Sequence, residues 1–210
     1  MPKGFSDKEK QAIHEALLET GKQLFSVHGL KKSGIGEITR AVGISQGSFY
    51  SFYGSKEELY LEVLNSEVRF LQEQFLKESF IDPDNSKEGM RRLLRRMIEL
   101  IVNHPLLKQL LIEKEVDWLR RKLPPEMLES SARRNNAFFL PLIRKWQDAG
   151  ILSKDRNPEV LSGLILSLSL MTMLRKDIGE AIFDDTIDLW IELFVQGLVI
   201  GGSAGNGEPD

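Results

Sequence analysis

Small and hydrogen-bonding side chains are concentrated in residues 45–51, whose sequence is SQGSFYS. A glutamine amide can hydrogen-bond bidentately to adenine, and a serine hydroxyl can donate to or accept from any base edge. Gly47 would let the N-terminus of a helix approach a phosphate, and Tyr50 and Lys56 are suited to phosphate oxygens. These residue types, exposed together on one short helix, are typical of a surface that contacts DNA.

The chain offers little of the chemistry that catalysis needs. Its histidines, His14, His28 and His104, are scattered and lack metal-ligand spacing, and the absence of cysteine excludes disulfides and thiolate metal sites. The sequence contains no GxxxxGKS/T phosphate-binding loop. Residues 43–47, GISQG, have the GxSxG spacing, but they lie between two predicted helices, whereas a nucleophile elbow follows a strand. We therefore predict no catalytic residues, no metal site and no cofactor, and a helical enzyme is the least favoured alternative.

Positive charge is concentrated near the same segment. Residues 20–56 carry a local charge of +4, while the rest of the chain sums to −7 within a net charge of −3. The cations of this window, which oppose Glu37 alone, are Lys22, Lys31, Lys32, Arg40 and Lys56. A polyanion would be attracted to the window and repelled by the remainder, although random clustering of charge would produce the same balance.

Residues 35–52 have the pattern of two short helices joined by a tight turn. Three apolar residues share one face of a predicted helix over 35–42: Ile35, Ile38 and Val42. Gly43 stands where a sharp turn needs a positive φ, which glycine adopts without steric penalty. Ser45 can cap a second helix over 46–52, and Phe49 can anchor its buried side. Such a pair is a helix-turn-helix, whose second helix enters the major groove.

The remaining sequence also predicts helices and no strands. Two capping boxes, Ser6–Glu9 and Ser55–Glu58, begin a first helix that Gly29 can end and a longer helix over 55–80. Further helices are expected over 87–103, over 106–121, from Pro124–Pro125 to Ala149–Gly150, over 158–177 and over 184–200. Pro141 should kink or split the helix that contains it. The Gly-rich segment 201–210 is expected to be disordered.

The segment from Gly29 to Leu59 resembles the DNA-binding domain of the TetR/AcrR family of repressors. The matching residues, which align with the family pattern without a gap, are Gly29, Ser33, Ile38, Gly43-Ile44-Ser45, Gly47-Ser48-Phe49-Tyr50 and Ser55-Lys56-Glu57-Glu58-Leu59. The resemblance implies an all-α fold. An N-terminal three-helix helix-turn-helix domain would occupy residues 1–54, with a linking helix over 55–80. A larger C-terminal helical domain over 81–200 would bind an effector and dimerise.

The resemblance also implies DNA contacts for individual residues. Phosphates would be held by Ser33, Tyr50 and Lys56, and bases would be read by Gln46, Ser48 and Ser51. With the residues at the start of the recognition helix included, the expected DNA-binding set is Ser33, Ser45, Gln46, Gly47, Ser48, Tyr50, Ser51 and Lys56.

The last two long helices are apolar on more than one face, so each must be covered on several sides. In the resembling family, these helices from two subunits form a four-helix bundle. The expected dimer interface consists of Leu161, Leu164, Ile165, Leu168, Trp190, Phe194 and Leu198. The alternative is that they form the core of a monomer, although a monomer would lack the second half-site that provides affinity for DNA.

Methionine and aromatic residues in the second half of the chain suit adaptable apolar binding and could line an effector pocket. The candidates are Met97, Trp118, Phe138, Phe139, Trp146 and Met171. Ordinary core packing is the alternative for each of them.

Together these expectations describe a ligand-responsive repressor that binds a palindromic operator in double-stranded DNA as a homodimer. A small apolar or amphipathic effector would release it; the alternative is a similar DNA-binding protein controlled by a protein partner. The longest apolar run, Val160–Leu174, has 15 residues, against the roughly 20 that cross a bilayer. The N-terminus has no apolar leader. We therefore expect a cytoplasmic protein without membrane contact.

Overall fold

The computed structural model describes residues 5–112 and 115–200. In these ranges the regular structure is helical apart from an isolated bridge between Leu152 and Val199. The helices are α1 (Asp7–Lys32), α2 (Ile35–Val42), α3 (Gln46–Phe49), α4 (Lys56–Glu78), α5 (Ser86–Asn103), α6 (Pro105–Ile112), α7 (Glu115–Lys122), α8 (Pro125–Asp148), α9 (Pro158–Met171), α10 (Arg175–Ile178) and α11 (Phe183–Leu198). The predicted all-α class is confirmed, while the predicted disordered tail lies outside the described residues.

The chain divides into two compact units. The N-terminal unit consists of Met1–Phe70 and Asn103–Leu128, and the C-terminal unit consists of Leu71–Val102 and Glu129–Asp210. The segment that carries α6 and α7 therefore groups with the first helices, whereas the sequence assigned it to the C-terminal domain. The functional boundaries, which concern DNA and effector binding, stay predictions.

Helix α1 begins at the predicted capping box. Ser6 Oγ accepts the N–H of Glu9 at 3.4 Å, and the Glu9 carboxylate accepts the N–H of Ser6 at 2.8 Å. Hydrogen bonds from the Ser6 hydroxyl and then from its backbone lower the pKa of the Glu9 carboxyl. Gly29 interrupts the helix with a φ of 74° and a ψ of 170°, and the helix continues to Lys32. The first helical segment therefore ends at the predicted glycine, and a short second segment follows the kink.

The core of the N-terminal unit is built from α1 to α4. Its fully buried side chains include Leu17, Phe25, Leu30, Ile38, Phe49, Leu59 and Tyr60. The rings of Phe25 and Tyr60 meet edge to face, with centroids 5.0 Å apart. Gly21 leaves room for Phe25 of α1 and Val63 of α4, because a Cβ at this position would lie 3.2 Å from side-chain atoms of both residues.

One buried carboxylate fixes α7 to this core. Glu115 is 3% exposed, and it accepts hydrogen bonds from the N–H of Leu30 and the hydroxyl of Tyr60, both at 2.8 Å. Burial and then the charge of Glu115 raise the pKa of the Tyr60 hydroxyl, which therefore stays a donor. The described residues of the helix that the sequence predicts over 106–121 are helical on both sides of positions 113–114, which lie outside the described residues.

Apolar packing dominates the C-terminal unit. Helices α5, α8, α9 and α11 contribute to one core whose buried members include Met90, Leu94, Ile143, Ile165, Phe183 and Val195. Ion pairs lie at its rim, where Arg91 contacts Glu192 at 2.7 Å and Arg95 contacts Asp188 at 3.0 Å. Hydrogen bonds from Arg91 and then from Gln196 lower the pKa of Glu192 to about 2.

The sequence predicts that Pro141 kinks or splits its helix. Helix α8 runs through Pro141 from Pro125 to Asp148, so the proline does not split it, and the kink stays a prediction. Helix α9 begins at the predicted cap, where Asn157 accepts the N–H of Glu159 at 2.7 Å, but it ends at Met171 instead of near residue 177. The N–H of Thr172 bonds the carbonyls of Ser169 and Leu170, which tightens the next turn into a 3-10 helix over 172–174.

The helical run Pro158–Ile178 is long and apolar enough to cross a membrane by length and composition alone. It exceeds the 15 residues of Val160–Leu174 because the 3-10 turn and α10 extend it. Helices that pack on several sides against other helices share this composition.

Candidate nucleic-acid interface

A tight turn connects α2 to α3. Gly43 adopts the left-handed conformation, with a φ of 79° and a ψ of 29°. The N–H groups of Gly43 and Ile44 both bond the carbonyl of Thr39 at 3.0 Å. The hydroxyl oxygen of Ser45 then accepts a hydrogen bond from the N–H of Ser48 at 3.0 Å and so caps α3. The predicted turn glycine and helix cap are therefore confirmed.

The buried side of α3 is aromatic. Phe49 is fully buried, and its ring meets that of Tyr50 edge to face at 5.6 Å between centroids. Helix α3 is shorter than the predicted 46–52, since regular helix ends at Phe49. Turns continue the chain in the same sense, with the N–H of Tyr53 bonded to the carbonyl of Phe49 at 3.1 Å.

The opposite face of α3 is polar and open to solvent. Gln46, Gly47, Tyr50 and Ser51 are exposed, and Tyr50 reaches 56% exposure. The side-chain amide of Gln46 has no hydrogen-bond partner among the residues that the structure describes. A Cβ on Gly36 of α2 would lie 2.9 Å from the amide nitrogen of Gln46, so this glycine leaves space for it. An unpaired amide on an exposed helix face can bond a base edge.

Ser33 and Lys56 are used inside the protein. The hydroxyl of Ser33, which is 1% exposed, donates to the carbonyl of Gly29 at 2.8 Å. The Lys56 ammonium donates to the carbonyls of Leu30, Ser33 and Lys31 at 2.8, 2.9 and 3.3 Å. An ammonium has three donors, so all are engaged. These bonds hold the end of α1, and the phosphate contacts expected of Ser33 and Lys56 stay predictions.

Two of the three histidines contact carboxylates. His14 lies 3.0 Å from Glu62, and His104 lies 3.0 Å from Glu67. Across residues 5–112 and 115–200, no group of three His, Asp or Glu side chains could hold a metal ion.

The expected effector residues divide between the two units. Five of them belong to the core of the C-terminal unit or pack against it: Met97, Phe138, Phe139, Trp146 and Met171. Trp118 lies in the N-terminal unit, where its indole N–H donates to Glu57 at 3.0 Å. The effector role expected of Trp118 stays a prediction, although the other five candidates lie in the other unit.

Some of the expected dimer residues are buried in the core, and others are partly buried or exposed. Leu161, Ile165, Leu168 and Phe194 are at most 4% exposed and belong to the core of their own subunit. Trp190 and Leu198 are partly buried against that core, and Leu164 is 37% exposed. The sequence missed the outward apolar side chains of these helices, which are Val160, Leu170, Leu189 and Leu193. Helical spacing from Leu164 could have found them, since 160 and 164 share one face.

A family model described as bacterial regulatory proteins, tetR family, matches residues 17–63. The HTH-type transcriptional regulator QacR of Staphylococcus aureus is 36% identical over 66 residues, which are 31% of this chain and 35% of QacR. The transcriptional regulator AcuR of Cereibacter sphaeroides is 25% identical over 169 residues, which are 77% of this chain and 74% of AcuR. The chain thus spans about a third of QacR and about three quarters of AcuR.

Solved structures share the fold over most of the chain. A TetR-family transcriptional regulator from Pectobacterium atrosepticum has a TM-score of 0.71 at 19% identity, covering 94% of this chain and 100% of that chain. FadR from Bacillus subtilis, in complex with stearoyl-CoA, has a TM-score of 0.59 at 12% identity, covering 88% and 98%. At these identities the likeness concerns the fold alone.

Proposed function

We propose that this chain, which belongs to the TetR/AcrR family of transcriptional regulators, represses transcription by binding a palindromic operator as a homodimer. A small effector would release the DNA. Family members are transcriptional regulators, typically repressors, and not enzymes. Because its target is DNA, we expect the protein to act in the cytoplasm.

The exposed face of α3 carries the proposal. Its buried side is anchored by Phe49 and its start is capped by Ser45, so the free side chains are held on a defined surface. Gln46 and Ser51 would reach base edges and Tyr50 a phosphate, with Gly47 allowing close approach. Ser48 would contribute a hydroxyl, although that group already contacts Ser45 Oγ at 2.9 Å.

An exposed apolar surface supports the homodimer. It comprises outward residues of α9, the following turn and α11, namely Val160, Leu164, Leu170, Leu174, Leu189 and Leu193. Contiguous exposed apolar surface marks an interaction site in a monomer. Gly163 and Gly197 lie among these residues, and a Cβ on either would meet open space, so the backbone of a partner helix could approach closely. We define this set as the apolar face.

The effector would bind in the C-terminal unit. Phe138 and Phe139 lie together there, with ring centroids 5.0 Å apart, and Met97 and Trp146 belong to the same core. Such side chains repack around apolar ligands more readily than branched ones do. The stearoyl-CoA bound to the structural neighbour FadR is an amphipathic molecule of the proposed kind.

Selection of bound duplexes from a random pool tests the proposal. We expect enrichment of two inverted half-sites, because a symmetric dimer reads its operator twice. The variant Gln46→Glu/Tyr50→Glu, which places two carboxylates on the exposed face of α3, should enrich nothing. Compounds are then screened for release of the recovered duplex. A pool in which wild type enriches no sequence would contradict DNA reading, and release by no compound would favour control by a protein partner.

A further inference from the structure

A group of cations lies in the N-terminal unit outside the recognition helix. We propose that this basic cluster, defined as Lys31, Lys32, Arg121 and Lys122, contacts duplex phosphates that flank the half-site read by α3. Each subunit would then hold DNA with α7 as well as with its helix-turn-helix. The inference rests on the proposed function and adds a second contact surface to it.

Three of these cations, which belong to two helices, lie near the indole ring of Trp118. Lys122 Nζ lies 5.2 Å from the ring centroid, Lys31 Nζ lies 5.9 Å from it, and the guanidinium carbon of Arg121 lies 6.0 Å from it. A cation near an aromatic face is attracted by the negative potential of the ring. The ring therefore offsets part of the repulsion between like charges on α1 and α7.

The ring itself is held in place. The indole N–H of Trp118 donates to Glu57 at 3.0 Å, and Glu57 is 8% exposed near the start of α4. On the same helix as Trp118, the buried carboxylate of Glu115 bonds α1 and α4. These hydrogen bonds hold the ring and the helix beside which the basic cluster lies, so less conformational entropy is lost on binding.

Acidic groups of the described residues offset only part of the four positive charges of the basic cluster. Glu57 and Glu115 accept from neutral donors, so these bonds do not remove the charge of their carboxylates. Asp117 pairs with Arg120 at 3.5 Å. The four cluster residues are exposed and have neither an ion pair nor a side-chain hydrogen bond within the part of the chain that the structure describes. A row of phosphates is the complementary partner, because it supplies regularly spaced negative charge.

The position of Lys32 places the basic cluster close to the recognition helix. Lys32 and Gly36 are four positions apart in the chain, so their Cα atoms are at most about 14 Å apart. Gly36 in turn lies beside the amide of Gln46. At about 3.4 Å per base step, the distance between Lys32 and Gly36 corresponds to at most about four base pairs.

The test uses Arg121→Gln/Lys122→Gln in the full chain and two duplexes that carry the selected operator. One duplex ends at the outer base pairs of the half-sites, and the other extends about eight base pairs beyond each. On the extended duplex, affinity for DNA should become less sensitive to salt. The steepness of the plot of log association constant against log salt concentration should decrease by about 1.8 per subunit, at about 0.9 per lost phosphate contact. On the short duplex it should hardly change. Both substituted side chains are exposed, and a thermal melt confirms folding.

The matched control, Arg133→Gln/Arg134→Gln, removes two exposed arginines of α8 in the C-terminal unit. It should leave both slopes at the wild-type value; an equal fall in this control would make the effect one of net charge and overturn the inference. A wild-type slope for Arg121→Gln/Lys122→Gln on the extended duplex overturns it as well. So does an equal loss on both duplexes, because the contacts would then lie inside the half-sites. If wild type binds neither duplex, the proposed function fails instead.

Discussion

The two units are stabilised in different ways. Inside the N-terminal unit, buried polar groups bond each other: Glu115 accepts from two helices, and Glu67, which is 7% exposed, contacts Lys22 at 2.9 Å and His104 at 3.0 Å. The C-terminal unit has an apolar core, and its ion pairs lie at the rim. A buried polar bond holds in one geometry only, because any other leaves a group unsatisfied. Apolar cores tolerate repacking.

This contrast fits two different tasks. A surface that reads base edges needs side chains held at one separation, and directional bonds provide it. A core that admits a ligand needs to rearrange at modest cost, and apolar contacts allow it. Substitutions in both units test the contrast, with the largest effect expected from Glu115→Ala and the smallest from Glu192→Gln.

Glu115→Ala should have the largest effect on stability. It leaves the N–H of Leu30 and the hydroxyl of Tyr60 buried without an acceptor. Each unsatisfied buried group costs about 1–3 kcal/mol, so we expect a loss of about 2–5 kcal/mol in the free energy of unfolding. Urea titration followed by circular dichroism measures it. Glu115→Gln keeps one carbonyl oxygen for Leu30 and should lose less.

Ile165→Val is the comparison in the C-terminal unit. Ile165 is fully buried in the apolar core, and such a substitution costs about 0.5–1.5 kcal/mol. If Glu115→Ala cost no more than Ile165→Val, the proposed difference between the units would be wrong.

Leu193→Asp should break the proposed dimer without unfolding the subunit. Leu193 is 67% exposed on the apolar face, whereas its neighbour Phe194 is 4% exposed in the core. A central interface residue contributes about 2–4 kcal/mol, so the dimer should weaken roughly 30- to 1,000-fold. Sedimentation velocity should show monomers with a wild-type melting curve. Leu76→Asp, at a 45% exposed leucine of α4, is the control and should leave the dimer intact.

The same contrast explains which features could be predicted from the sequence. Gly43 and Ser45 were predictable because a tight turn demands a left-handed residue and then a cap, and both demands are local in sequence. The inward and outward sides of α9 were not distinguishable from one another, because Leu161 and Leu164 are the same residue type on an all-round apolar helix. Only packing against α5, α8 and α11 separates them.

Long-range polar bonds were equally hidden from the sequence. The three carbonyls that Lys56 bonds lie 23 to 26 residues earlier in the chain. Glu115 lies 85 residues from Leu30. No local spacing indicates such pairs, so the internal hydrogen bonds of Lys56 and Glu115 could not be predicted from the sequence.

Gln46→Ala should change sequence preference and leave stability unaltered. Its amide is exposed and unpaired among the described residues, so no internal bond is lost. A bidentate contact to adenine discriminates by about 1–3 kcal/mol, and the variant should lose that preference at one position in each half-site. Competition with single-base variants of the operator measures it. Gln23→Ala, an exposed glutamine of α1, is the control. An equal fall on every sequence would make Gln46 a backbone contact.

Glu192→Gln should have the smallest effect, because the ion pair with Arg91 lies at an exposed rim where water and salt screen it. Hydrogen bonds from Arg91 and then from Gln196 lower the pKa of Glu192 to about 2 in the folded protein. A carboxyl whose pKa falls on folding stabilises the protein above its unfolded value near 4.5, and the contribution fades as the pH falls toward 2. The melting temperature of wild type should therefore exceed that of Glu192→Gln at pH 7, and the gap should narrow by pH 3 and in high salt. Asp177→Asn, at an exposed aspartate of α10, should show no such narrowing. A gap that is equal at pH 7 and pH 3 would mean that the bonds to Glu192 do not form in solution, and the C-terminal unit would then depend on apolar packing even at its rim.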